Sequence, residues 1–121
     1  MGGNIRVEAG RRTPEAVLLR AVEVTGSDAG RWLNDLVTAG VEVLPPGGAT
    51  RSLLLTPTGR VRADFHVLRI DGGFLLLQES DQPAAIDDLL GPYVLSSDVA
   101  LRRAAAGTRV VLMPSDRGWT V

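Results

Sequence analysis

Residues 52–77 read SLLLTPTGRVRADFHVLRIDGGFLLL, and this stretch decides the fold. Three runs rich in Leu, Val, Ile and Phe are separated by two turn signals, Pro57-Thr58-Gly59 and Asp71-Gly72-Gly73. Pro at the second position and Gly at the fourth favour a β-turn, and Asp-Gly favours a short hairpin loop. The pattern therefore predicts three consecutive antiparallel strands over residues 50–56, 61–70 and 74–79.

A strand and a helix are predicted before these three strands. Residues 16–24 are rich in Val and Leu, and Ser27 is a suitable N-cap for a helix that ends at Gly40. The apolar residues of this helix recur at helical spacing and form one stripe. They are Ala29, Trp32, Leu33, Leu36 and Val37.

A second helix and two more strands are predicted after the meander. Ser80 or Asp81 is expected to cap this helix, with Pro83 tolerated in its first turn. Residues 99–103 and 108–113 favour two last strands, and the C-terminal end is expected to be irregular.

This order of elements predicts the fold class. Two helices that flank a run of antiparallel strands are typical of an α+β domain, and we expect a ferredoxin-like antiparallel sheet with two helices packed on one face. Residues 1–14 are expected to form an irregular lead-in, and residues 15–121 a single domain.

Composition narrows the classes of function. The chain has 121 residues, of which 45% are hydrophobic and 22% charged, and its net charge is −1. Without a basic surplus we expect no nucleic-acid partner. No apolar run approaches the length of a membrane span, so we expect a cytoplasmic protein with no membrane partner. The absence of cysteine excludes disulfides and Cys-based metal sites within the chain.

The strand predicted over residues 61–70 carries the most informative polar residues. Side chains alternate between the two faces of a strand. Val61, Ala63, Phe65 and Val67 form one side, which we interpret as core. Arg62, Asp64 and His66 line the other side, where they could hold a polar ligand or simply form a solvated face with cross-strand ion pairs.

Other chemistry finds little support in the sequence. A single His without Cys cannot build a usual zinc site, so no metal site is expected. No serine lies in a nucleophile-elbow pattern, and the glycine pairs lack the spacing of a phosphate-binding loop.

Three motifs, taken in order, resemble a known family. They are V-x-G-x-D-A from Val24, L-x-T-x-x-G-R from Leu54 and V-x-R from Val67. Their order and spacing are similar to the first part of the aminomethyltransferase (T-protein) of the glycine cleavage system, and closer still to YgfZ-type folate-binding proteins. The similarity extends over about residues 17–103.

The resemblance implies a fold that binds tetrahydrofolate or a derivative. Aligned through the V-x-R motif, Asp64 matches the T-protein aspartate that lies at the reactive nitrogen of the folate, and Ala63 replaces the aspartate before it. Arg51 stands where the family commonly has a tyrosine. We therefore expect Asp64, Arg62, His66 and Arg51 to form the cofactor-binding site.

Departures from the family pattern limit the activity that the resemblance implies. The family's T-N-D after the first helix is Thr38-Ala39-Gly40 here, and the cysteine-containing signature of YgfZ-type proteins is absent. We expect a tetrahydrofolate-binding module that is not catalytic alone. Two alternatives stay open: an aminomethyltransferase that acts with missing domains or a partner subunit, and a non-catalytic interaction subunit of a folate-linked enzyme.

Overall fold

A computed structural model describes residues 19–104, 113–115 and 118–120 of the chain. This part of the chain consists of seven strands, two α-helices and one 3-10 turn, joined by connections of different lengths. In chain order they are β1 (Leu19–Thr25), α1 (Ala29–Leu36), β2 (Ala49–Leu55), β3 (Val61–Ile70), β4 (Gly73–Glu79), α2 (Ile86–Leu90), a 3-10 turn (Gly91–Tyr93), β5 (Ala100–Arg103), β6 (Met113–Ser115) and β7 (Gly118–Thr120).

The strands form one antiparallel sheet in the order β5-β1-β4-β3-β2-β7-β6. The predicted meander is confirmed, because β2, β3 and β4 are hydrogen-bonded neighbours joined by tight turns. The α+β class is also confirmed, but the ferredoxin-like strand order is wrong. A ferredoxin-like domain has two strands between its helices, whereas this chain has three, and the extra strand extends the sheet on the β2 side.

Both helices cover the same face of the sheet, as predicted. Trp32 and Leu33 of α1 share one buried cluster with Ile86 and Leu90 of α2. The strands contribute alternate residues to this cluster, because every second side chain points to one face. Those residues are Val22, Val24, Leu54, Ala63, Phe65, Val67, Phe74 and Leu76.

The opposite face of the sheet is partly apolar. Ala21, Ala49, Leu68 and Leu77 form a second buried cluster there, and Leu77 is only 1% exposed. The polar residues predicted on this face therefore lie beside a buried apolar patch rather than on a uniformly solvated sheet.

The first helix differs from its prediction at both ends. Asp28, not Ser27, is the N-cap residue, and the Ser27 hydroxyl instead donates to Asp98 Oδ2 at 2.6 Å. The helix ends at Leu36, well before Gly40, because Val37 is already extended. The helix start is thus fixed by a contact with a loop that is distant in sequence.

The second helix begins later than predicted. Ala85 is its N-cap residue, so neither Ser80 nor Asp81 caps it, and Pro83 precedes the helix. The side chain of Gln78 accepts a hydrogen bond from the Ile86 amide at 2.9 Å. The role of a local cap is therefore taken by a residue of the preceding strand.

The C-terminal end was expected to be irregular, and this prediction is wrong where the structure describes it. Met113–Ser115 and Gly118–Thr120 pair as two short antiparallel strands, and β7 adds to β2 through Ala49. The predicted lead-in at residues 1–14 and most of the strand predicted over 108–113 lie outside the described residues.

Candidate functional site

Strand β3 presents its polar side chains on the face opposite the helices. Its register with β2 places His66 directly across from Arg51, and Asp64 across from Leu53. Ala63, Phe65 and Val67 point to the helices and are buried, as predicted. Val61 is instead 59% exposed, so its assignment to the core is wrong.

Arg51 and Asp64 form a two-pronged ion pair. Arg51 Nε donates to Asp64 Oδ1 at 2.8 Å, and Arg51 Nη2 donates to Asp64 Oδ2. The hydrogen bond from Arg51 is the main reason that the pKa of Asp64 lies below its ordinary value. The carboxylate is therefore ionised at neutral pH, and both of its oxygens are hydrogen-bonded to the guanidinium of Arg51.

His66 lies beside this pair and is half-buried. Burial disfavours the charged imidazolium and lowers the pKa of His66, and the positive charge of Arg51 lowers it further. The imidazole is accordingly neutral at pH 7.

A cavity of about 170 Å³ lies next to the carboxylate of Asp64. Both charged and apolar residues line it, so a ligand there would meet polar and apolar surface together. It is lined by Leu19, Arg51, Asp64, Phe65, His66, Leu77, Glu79 and Gln82. Three of the four predicted site residues are thus brought together, whereas Arg62 does not line the cavity.

Gln82 fixes the main chain of Asp64, a role that the sequence did not suggest. Its Nε2 donates to Asp64 O at 2.7 Å, and its Oε1 accepts from Asp64 N at 3.1 Å. The pairing of β3 with β4 ends at Phe65 opposite Gln78. The Gln82 amide therefore continues the strand ladder by one residue after β4 has turned away.

Gln78 anchors this arrangement from the helix side of the sheet. Its Oε1 accepts from Arg20 Nη1 and from the Ile86 amide, both at 2.9 Å. Its Nε2 donates to Ala84 O at 2.8 Å and to Gln82 Oε1 at 3.1 Å. A side chain that is fully buried is thus fully hydrogen-bonded, and it links the start of α2 to the residue that holds Asp64.

A larger cavity of about 590 Å³ lies elsewhere, between the start of α1 and the β3–β4 turn. Its polar groups are partly engaged with the protein: Arg69 donates to Leu44 O and stacks on the ring of Phe74 at 5.3 Å. Arg31 and Arg69 face three carboxylates there, those of Asp28, Glu42 and Asp71. Its larger volume favours this cavity as a ligand site. The cavity at Asp64 is favoured instead because an ionised carboxylate and a neutral imidazole lie together there beside apolar side chains.

Two further properties concern the described part of the chain only. None of its helices is long and apolar enough to cross a membrane. Within the same residues, no group of three or more His, Cys, Asp or Glu side chains could hold a metal ion.

Comparisons with known proteins identify the fold rather than a family. No protein-family model matches the sequence, and no curated protein matches it. Among solved structures, the chain is similar to the glycine cleavage system aminomethyltransferase T from Bartonella henselae, with a TM-score of 0.65 and 17% sequence identity. The match covers 71% of this chain and 24% of that protein, so the chain spans about a quarter of its length.

Proposed function

We propose that this chain is a tetrahydrofolate-binding module of the T-protein type that does not catalyse a reaction alone. The observation that carries the proposal is the carboxylate of Asp64, which is ionised and borders a cavity in a T-protein-like fold. Reduced folates carry amine and amide N–H groups beside a flat ring. A carboxylate next to a partly apolar wall suits such a ligand.

The neighbouring groups have distinct roles in this proposal. Asp64 accepts N–H groups of the ligand, and His66 lines the cavity beside it as a neutral imidazole. Leu19 and Leu77 contact the ring, and the amide of Gln82 keeps the main chain of Asp64 in place. Arg62 has no role in the cavity, because it does not line it.

Binding without catalysis fits the size and state of this site. A cavity of about 170 Å³ encloses only part of a folate, so much of the ligand stays in water. The ion pair with Arg51 also holds both oxygens of the carboxylate, so the ligand must displace Arg51 before Asp64 can accept its N–H groups. Aminomethyl transfer would require groups supplied by other domains or by a partner subunit.

Calorimetry with 5-formyltetrahydrofolate tests the proposal. We expect binding in the millimolar range or tighter, and we expect Asp64→Asn to weaken it about 10-fold, the effect of losing one hydrogen bond to a charged group. The matched control is Asp71→Asn, which removes the same charge from the exposed β3–β4 turn.

The control also separates the two cavities, since Asp71 lines the larger one. A loss of affinity in Asp71→Asn with none in Asp64→Asn would move the ligand to the larger cavity. No heat at millimolar ligand with the unaltered protein would refute folate binding.

A further inference from the structure

Arg51 already occupies Asp64 in the way that a ligand would. Its guanidinium presents two adjacent N–H groups, and these meet the two carboxylate oxygens one to one. A planar fork of two donors is the geometry that a carboxylate matches best. The side chain of Arg51 therefore indicates which kind of molecular edge fits this carboxylate.

The pair can open without disturbing the fold. The side chain of Arg51 is 67% exposed and that of Asp64 is 32% exposed, and exposed ion pairs contribute little to stability. The main chain of Asp64, in contrast, is held at both its N–H and its C=O by Gln82. When Arg51 swings into solvent, the main chain of Asp64 therefore stays in place beside the cavity.

We propose that Arg51 is a built-in competitor for Asp64, which lowers the affinity of every ligand at this carboxylate, so that only ligands with two adjacent N–H donors on a planar group, which the carboxylate binds best, compete well for the site. Amidines and aminopyrimidines belong to this chemical class. Such a ligand donates to both carboxylate oxygens, so it replaces both hydrogen bonds that Asp64 loses when Arg51 leaves. An amine has no second coplanar N–H group and replaces only one of them. The inference deepens the proposed function and rests on it in taking this cavity as the ligand site.

The other residues that line the cavity also suit a flat ligand that is cationic or donates hydrogen bonds. Leu19 and Leu77 supply apolar surface for a ring. Glu79 adds a second carboxylate at the rim, and its charge also favours the charged form of Arg51. Two carboxylates outnumber one arginine, so the site is negative with Arg51 in place and becomes more negative once Arg51 is displaced.

Two small probes separate the geometry of the donors from their charge. Benzamidine and benzylamine are both monocations with one aromatic ring, but only benzamidine carries two coplanar N–H donors. The binding of each is followed by NMR titration of the amide resonances of Asp64, His66 and Gln82. The proteins are the unaltered chain, Arg51→Ala, Arg51→Lys and the control Arg62→Ala.

We expect Arg51→Ala to bind benzamidine about 2- to 10-fold more tightly than benzylamine, the effect of one net hydrogen bond. The unaltered chain should bind benzamidine about 2- to 5-fold more weakly than Arg51→Ala, because the tethered arginine competes. Arg51→Lys keeps a competing charge without the fork and should fall between the two. Arg62→Ala should bind like the unaltered chain, and Asp64→Asn combined with Arg51→Ala should abolish the preference.

Three results would overturn the inference: equal affinities for the two probes in Arg51→Ala, no binding of either probe by that variant, or the same affinity for benzamidine in Arg51→Ala and in the unaltered chain. Because Arg51 is mostly exposed, its variants are expected to fold, and Arg51→Lys offers the same comparison with a smaller change. This outcome is independent of calorimetry with 5-formyltetrahydrofolate. A preference for benzamidine without folate binding would keep the site and remove only the proposed ligand.

Discussion

Replacement of Gln78 by Ala is expected to lower the free energy of unfolding by about 4 kcal/mol, a large part of the stability of a domain of this size. The side chain is fully buried and makes four hydrogen bonds. Its removal leaves the Ile86 amide and the Ala84 carbonyl without their partner, and it leaves a cavity beneath α2. The change is measured by urea unfolding.

The control for this prediction is the neighbouring residue Glu79, which is exposed on the other face of β4. Glu79→Gln should alter the free energy of unfolding by less than about 0.5 kcal/mol, as surface substitutions usually do. Gln78→Ala should also expose the Ile86 amide to hydrogen exchange, since that amide loses its acceptor. A loss below about 1 kcal/mol for Gln78→Ala would contradict the hydrogen-bonded role assigned to this side chain.

Gly73→Ala is expected to destabilise the protein by about 3 kcal/mol through backbone overlap. A Cβ atom at this position would overlap the carbonyl oxygen of Val24 and would lie 3.1 Å from the Cα atom of Thr25. Both belong to β1, which pairs with β4 at this point. Relief would require β1 and β4 to separate, because a main-chain carbonyl cannot rotate away as a side chain can.

Gly72→Ala provides the matched comparison for this second substitution. Gly72 has a φ of +82°, and a Cβ atom there would meet nothing within 4 Å. Gly72→Ala should lower the free energy of unfolding by only about 1 kcal/mol, which is the difference between Gly and Ala in the left-handed region. Thermal or urea unfolding should therefore show that Gly73→Ala is much less stable than Gly72→Ala. The reverse order of stability would contradict the close approach of β1 and β4.

The central strand was predictable because its ends are marked by local chemistry. β3 runs from Val61 to Ile70 as expected, since a turn with Gly59 precedes it and Asp71-Gly72 follows it. The alternation of side chains placed Asp64 and His66 on one face, and the tight hairpins brought Arg51 across from His66. Local turns and the period of a strand are sufficient for these conclusions.

What could not be predicted depends on contacts between residues that are distant in sequence. Ser27 looked like a helix cap, but its hydroxyl is bound by Asp98, which lies 71 residues away. The start of α2 is set by Gln78, a residue of the preceding strand that no local signal marks as its cap. Gln82 has no distinguishing motif, although its position just before Pro83 indicates a turn in which a long amide could reach back to β3.

The measurement that tests the central claim most directly is an NMR titration of the unaltered chain with 5-formyltetrahydrofolate. The account predicts saturable shifts of the amide resonances of Asp64, His66 and Gln82, the residues that surround the cavity on the β3 face. The amides of Gly26–Arg31 and of Gly72, which border the larger cavity, should stay unchanged. Shifts confined to that second group, or no saturable shift at millimolar ligand, would contradict it.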